Sequence, residues 1–287
     1  EKEGLPAILH SALGIYSPPD LRQWETWVNN IKKNRVNPAR TVTIALCGKY
    51  TALEDSYASV VEALIHAGAH LDVRVDLKWV DTSKLASAED AGAALAGVQG
   101  VIVPGGFGRR GIEGKIHVIR HAREADLPYL GICYGMQLAV VEFARNVVGL
   151  QNANTSEVRE EGVQVDHPVI DILPGQVNVS AKGGTMRLGG HDVELKAGSR
   201  ASKIYGGKTS IRERFRHRYE VNPAYVAQLE EKGLVFSGRH PEENIMQVLE
   251  LPGHRFFMGG QFHPELTSNL RRPAPLFHEL VKAAMGV

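Results

Sequence analysis

Chemistry concentrates at Gly131-Ile132-Cys133-Tyr134-Gly135. An apolar run enters this segment and a helical pattern leaves it, so Cys133 falls on a sharp strand-to-helix turn of the nucleophile-elbow type. A side chain at Gly131 or Gly135 would crowd that turn and its approach to substrate. The helix start behind Cys133 offers unpaired N–H groups and the positive end of the peptide dipole, and both favour a reactive thiolate. The other cysteine, Cys47, closes an apolar strand-like run and reads as an inert buried thiol. Far along the chain stands Gln261-Phe262-His263-Pro264-Glu265. In an extended segment residues i and i+2 point to one side, so the Glu265 carboxylate can orient the His263 imidazole and stabilise its charge. Together with Cys133 these supply nucleophile, base and orienter for covalent acyl transfer.

The elements that must carry these residues follow from periodicity. Thr41–Cys47 is a short β-branched apolar run, the pattern of a buried strand. Tyr57, Val60, Val61, Leu64 and Ile65 share one helical face that ends near Gly68. Further strands are predicted at Leu71–Val80, Val101–Val103 and Leu127–Ile132, and helices at Ala86–Leu95, Ile112–Ala125 and Met136–Val147. This alternation implies right-handed crossovers and a parallel sheet with helices on both faces. Ligands of such folds sit at the C-terminal strand ends, which points to the loops after Cys47, Val103 and Ile132. Beyond residue 151 glycine and proline are frequent. Gly183–Gly189 reads as a hairpin region, Asn222–Lys232 as a helix, Met246–Leu251 and Arg255–Gly259 as a second hairpin, and Pro275–Met285 as a closing helix. The fold class expected is α/β, a mostly parallel doubly wound sheet with an additional small antiparallel region. In the first forty residues Asp20 is placed to cap a helix carrying Leu21, Trp24, Val28 and Ile31 on one face, ended by Asn37-Pro38.

Composition narrows the function. The 287 residues hold 33 Lys+Arg and 32 Asp+Glu, a formal charge of +1. That balance argues against a nucleic acid or an anionic membrane as partner. No stretch reaches the roughly 18 uncharged apolar residues of a membrane helix. Two cysteines and no secretory leader suit a reducing, cytoplasmic setting.

The order PGGFG (Pro104–Gly108), GICYGMQ (Gly131–Gln137) and QFHPE (Gln261–Glu265) on this alternating pattern resembles the class I, or triad, glutamine amidotransferases. GGTMRLG at Gly183–Gly189, RHRYEVN at Arg216–Asn222 and Gly48-Lys49-Tyr50 narrow the resemblance to the glutaminase domain of the CTP synthase family. It implies glutamine hydrolysis, with Cys133 as nucleophile and His263 and Glu265 as its partners. By family position the oxyanion site is Gly106 with the N–H of Tyr134, and the glutamine pocket includes Gly135, Met136, Gln137, Glu157 for the ammonium and Arg218 for the carboxylate. Tyr134 stands where the family usually has Leu. Its N–H survives that change, while the pocket wall or tunnel entrance differs. The resemblance assigns residues 1–39 to the tail of a synthase domain and its linker, and 40–287 to the amidotransferase domain. For the full-length enzyme it implies ATP, Mg2+ and the activator GTP, amination of UTP, and a tetramer; no cofactor is expected in this domain.

Two other patterns are set aside. Gly106–Gly111 satisfies G-x-G-x-x-G, but the next strand ends at Cys133 and not at an acidic residue, so a dinucleotide site is rejected. Gly207-Lys208-Thr209 lacks the first glycine of a phosphate loop, where Ser202 stands, and no strand precedes it. No metal site is expected: H-E-x-x-H is absent and two cysteines cannot build a thiolate cage. The basic run Arg212–Arg218 reads as a solvated face except at Arg218. The alternatives are another Cys-His-Glu hydrolase of the same fold, such as a peptidase or γ-glutamyl hydrolase, and a non-catalytic scaffold. The Glu157 and Arg218 pair argues against the first, and the intact trio against the second.

Overall fold

The computed structural model describes residues 3–15, 20–51, 53–172 and 187–287. In chain order the elements are α1 (Leu5–Leu13), α2 (Arg22–Val36), β1 (Thr41–Gly48), α3 (Ala58–Leu71), β2 (Arg74–Asp81), α4 (Ala88–Ala94), β3 (Gly100–Val103), α5 (Ile112–Glu124), β4 (Tyr129–Ile132) and α6 (Tyr134–Phe143). There follow β5 (Ala153–Thr155), β6 (His167–Ile172), β7 (Arg187–Leu195), α7 (Arg200–Ile204), β8 (Ser210–His217), β9 (Tyr219–Val221), α8 (Pro223–Glu231), β10 (Val235–Arg239), β11 (Met246–Glu250), β12 (Phe257–Gly260) and α9 (Pro275–Ala284).

Among the described residues the main sheet has nine strands, ordered β2-β1-β3-β4-β12-β11-β10-β7-β8. From β2 to β12 every neighbouring pair is parallel; from β12 to β8 every pair is antiparallel. The α/β architecture with a parallel sheet and added antiparallel strands is the expected class. A second sheet, β5-β6-β9, is separate. The pleat explains the two cores. On β1, Ala45 and Cys47 join the cluster beneath α4, α5 and α6, while Ile44 and Leu46 join the cluster beneath α3 and α9. Both faces are covered, so the parallel strands read as continuous apolar runs.

Some expectations change. Leu21, not Asp20, occupies the N-cap of α2, although the Asp20 carboxylate accepts from the Arg22 N–H at 3.2 Å. The helix after Cys133 stops at Phe143 and continues as a π-helical turn, Ala144–Val148. Of the hairpin read at Gly183–Gly189, residues 183–186 lie outside the described residues. Arg187, Leu188 and Gly189 open β7, whose partner β8 arrives only after α7. Helices α1 and α7 and strands β5, β6, β8, β9 and β10 were not anticipated.

Candidate active site

Cys133 sits at the end of β4 with φ 51° and ψ −101°, a left-handed conformation forced on a residue bearing a Cβ. The two flanking glycines let the turn form. A Cβ on Gly131 would lie 2.7 Å from the Tyr129 hydroxyl and 2.8 Å from Met136 N, and one on Gly135 would fall onto the Val103 carbonyl oxygen. Tyr129 holds the turn from below, its hydroxyl donating to the Gly135 carbonyl at 2.9 Å. Cys133 N–H donates to Gly260 O at 2.7 Å, tying β4 to β12. Cys133 is 6% exposed, whereas Cys47 is fully buried and burial pushes its thiol up beyond any useful range.

The parallel register sets Gly260 level with Ile132, so the chain leaving β12 passes beside Cys133. Phe262, fully buried against the edge of Phe215, anchors that passage, and His263 N–H donates to Arg214 O at 2.8 Å. His263 Nδ1 and Glu265 Oε1 are 2.7 Å apart. The pairing expected from sequence is present, but by another route. Pro264–Leu266 is a 3-10 turn, so the carboxylate swings back to the ring by a turn and not along an extended strand. His263 Nε2 is buried with no hydrogen-bond partner among the described residues. Burial alone would lower the imidazole, yet Cys133 as its thiolate and the carboxylate of Glu265 outweigh it and raise it to about 10. Such a ring is charged near neutrality and faces the sulfur.

The glycine loop after β3 closes the other side. A Cβ on Gly105 would lie 3.0 Å from His263 Cε1 and 3.7 Å from Cys133 Cβ; one on Gly106 would lie 3.6 Å from the Tyr134 ring. Tyr134 donates its hydroxyl to Gly108 O at 3.2 Å, a tie that Leu could not make. Its N–H and that of Gly135 belong to the first turn of α6, where no intrahelical acceptor exists. Met136 is fully buried in the core. Gln137 is buried and its Nε2 donates to Tyr219 O at 2.6 Å and to Gln261 Oε1 at 3.1 Å.

Glu157 and Arg218 approach from the second sheet. Glu157 lies in the first turn of the 3-10 segment Ser156–Glu161 after β5, and Arg218 lies between β8 and β9. Both act electrostatically on the Tyr219 hydroxyl, which burial raises, and Glu157 also acts on Tyr134. The arginines of the basic run that precede Arg218 are solvent-facing. On β8, Ile211, Glu213, Phe215 and His217 are buried while Arg212, Arg214 and Arg216 are exposed.

Two residues had no role assigned from sequence. Lys115 is 2% exposed, with Nζ 3.3 Å from the Gly106 Cβ position and 5.2 Å from the Tyr134 ring centroid. Burial, then the charge of Lys49, lowers it to about 8, against opposing contributions from Cys47 and Cys133. Its signal was present: Ile112, Lys115, Ile116 and Ile119 form one buried stripe of α5. The second is Gln261, fully buried, whose Nε2 lies 3.6 Å from Cys133 Sγ.

Residues 52–283 match the family described as Glutamine amidotransferase class-I. The chain is 50% identical over 284 residues to a CTP synthase of Rubrobacter xylanophilus, covering 99% of this chain and 50% of that protein. It is 47% identical over 288 residues to a CTP synthase of Methanopyrus kandleri, covering 100% and 52%. The glutaminase domain of Trypanosoma brucei CTPS, solved with bound acivicin, superposes with a TM-score of 0.78 at 39% identity, covering 85% of this chain and 94% of that one. The chain spans about half the length of the curated relatives it matches.

Proposed function

The chain belongs to the class I glutamine amidotransferase family, and we propose that it hydrolyses L-glutamine to glutamate and ammonia through a γ-glutamyl thioester on Cys133. The observation that carries this reading is the trio itself: a strained elbow cysteine facing an imidazole whose far nitrogen is held 2.7 Å from Glu265. The Cys133 thiolate attacks the carboxamide carbon, and the carbonyl electrons move onto oxygen beside the N–H groups of Gly106 and Tyr134. His263 gives its proton to the departing nitrogen as the C–N bond breaks and ammonia leaves. It then takes a proton from water, which attacks the thioester and returns the thiolate. Glu157 meets the substrate ammonium and Arg218 its carboxylate, with Gly135, Met136 and Gln137 completing the pocket.

The similarity to CTP synthases along the whole chain supports a wider reading. Residues 1–39 are then the end of a synthase domain with its linker, and 40–287 the amidotransferase domain. The ammonia serves ATP- and Mg2+-dependent amination of UTP, activated by GTP, in a tetrameric cytoplasmic enzyme. Among the described residues no helix is long and apolar enough to cross a membrane. The test is to incubate the purified chain with glutamine and measure glutamate and ammonium. Equimolar release that Cys133→Ala abolishes supports the proposal; no release above buffer, by a chain verified as folded, overturns it.

A further inference from the structure

We infer that Gln261 is a further catalytic residue, donating an amide N–H to the sulfur of Cys133 and stabilising its thiolate, with Gln137 as the positioning residue that fixes which end of the amide faces the sulfur. The inference rests on Cys133 being the nucleophile proposed above. Its starting point is an atom that can only accept. Tyr219 O takes a hydrogen bond of 2.6 Å from the Gln137 side chain, so that end of Gln137 must be its NH2 group. The same nitrogen lies 3.1 Å from Gln261, and the atom it meets must therefore be the acceptor, Oε1. The remaining atom of the Gln261 amide is then Nε2, 3.6 Å from Cys133 Sγ. A backbone carbonyl thus sets the orientation of two amides in turn, and the second one points a donor at the reactive sulfur.

The backbone makes this arrangement rigid. Gln261 follows Gly260, the register partner of Ile132, and so stands level with Cys133. Its own N–H donates to Gln247 O at 2.9 Å, and its side chain has no solvent exposure. Arg216 O also lies 3.8 Å from the sulfur, an acceptor that suits the protonated thiol. The sulfur therefore has one neighbour that favours the thiol and one that favours the thiolate. The ionisable groups acting on it are His263, with Glu265 behind it, from the chain after β12, and Lys115 from α5. Gln261 adds a neutral donor that no change of pH removes. Once the thioester forms, the charge leaves the sulfur and the hydrogen bond weakens, so the effect is exerted on the attacking and departing thiolate.

The experiment is the pH profile of Cys133 alkylation by chloroacetamide, followed by peptide mapping, in the wild-type chain and in Gln261→Met. A hydrogen bond to a charged group is lost, so the midpoint moves up by about one pH unit and alkylation below it slows about tenfold. Above both midpoints the two rates converge, which a merely structural defect would not produce. An unchanged midpoint in folded Gln261→Met overturns the inference. Should that variant not fold, Gln261→Asn, which withdraws the amide by one methylene, and Gln137→Met, which frees its orientation, are read by the same criterion. The readout is independent of glutamine turnover. A wild-type chain that is inert towards glutamine while its alkylation midpoint still shifts in Gln261→Met removes the proposed function and keeps the hydrogen bond.

Discussion

Gly135→Ala adds one methyl group where the first turn of α6 crosses β3. The new Cβ would fall onto the Val103 carbonyl oxygen, with the Val103 Cβ 3.2 Å away. Neither atom can yield, since Val103 is fully buried and paired in register with Gly131. The helix start must retreat instead, by about 1 Å to restore ordinary contact. The energetic effect is moderate. Overpacking of this kind costs about 1–3 kcal/mol, and the gain in helix propensity over glycine returns about 1 kcal/mol. A net loss of about 1 kcal/mol lowers the Tm of a chain this long by roughly 2–4 °C. The same displacement moves the Tyr134 N–H and the elbow away from the reacting carbonyl, where about 1 Å costs on the order of a hundredfold in rate. The assay is glutamate release at 25 °C from protein shown to be folded by circular dichroism, alongside its thermal melt. Activity should fall by about two orders of magnitude while Tm falls by only a few degrees. Wild-type activity within threefold would show that the turn is not held against β3 as described.

Tyr134→Phe removes the hydroxyl tie to Gly108 O; stability should fall by about 1 kcal/mol with a several-fold loss of glutaminase rate, and a variant identical to wild type in both denaturant midpoint and kcat would refute the tie. Arg218→Lys keeps the charge and loses the planar fork, so KM for glutamine should rise by a larger factor than stability falls, and an unchanged KM would remove Arg218 from the pocket. Glu220 is 4% exposed, and burial, only partly opposed by Arg187, raises its carboxyl to about 8. The folded chain therefore holds this proton more tightly than the unfolded chain. The contribution is complete below about pH 4.5 and is lost as pH rises through 8, a change on the order of 5 kcal/mol. Glu220→Gln should flatten the fall in guanidinium midpoint between pH 5 and 8.5, and an equal fall in both proteins would contradict the burial argument.

The parallel half of the sheet was legible because both its faces are covered. Runs such as Ile44–Cys47 are apolar throughout, and the helices between them show one-sided periodicity. Gly131 and Gly135 were legible for a related reason, since only a crowded turn demands two glycines around a cysteine. The antiparallel extension was harder. Strand β8 alternates Ile211, Glu213, Phe215 and His217 inward with three arginines outward, so the charges mask a period of two. Two of its inward residues are polar and become buried through tertiary partners, such as Tyr205 and Thr267 around Glu213. The spacing of His263 and Glu265 was read correctly and its geometry was not, because the proline turns the chain where an extended segment was assumed. Lys115 and Gln261 escaped assignment since polar residues acquire these roles from neighbours distant in sequence. Gln261 meets Cys133 across the β4–β12 pairing, and Lys115 meets Gly106 from α5.

The central claim is that one of two buried cysteines carries the acyl group of glutamine, and trapping that acyl group tests it most directly. The purified chain is mixed with glutamine, quenched in acid within the first turnover, digested and mapped by mass. The account predicts a γ-glutamyl mass increment on the Cys133 peptide that disappears in Cys133→Ala, persists in Cys47→Ala, and is lost in His263→Ala, which lacks the acid that releases ammonia. An increment on the Cys47 peptide, or ammonia release with no adduct on Cys133 under any quench, would contradict it.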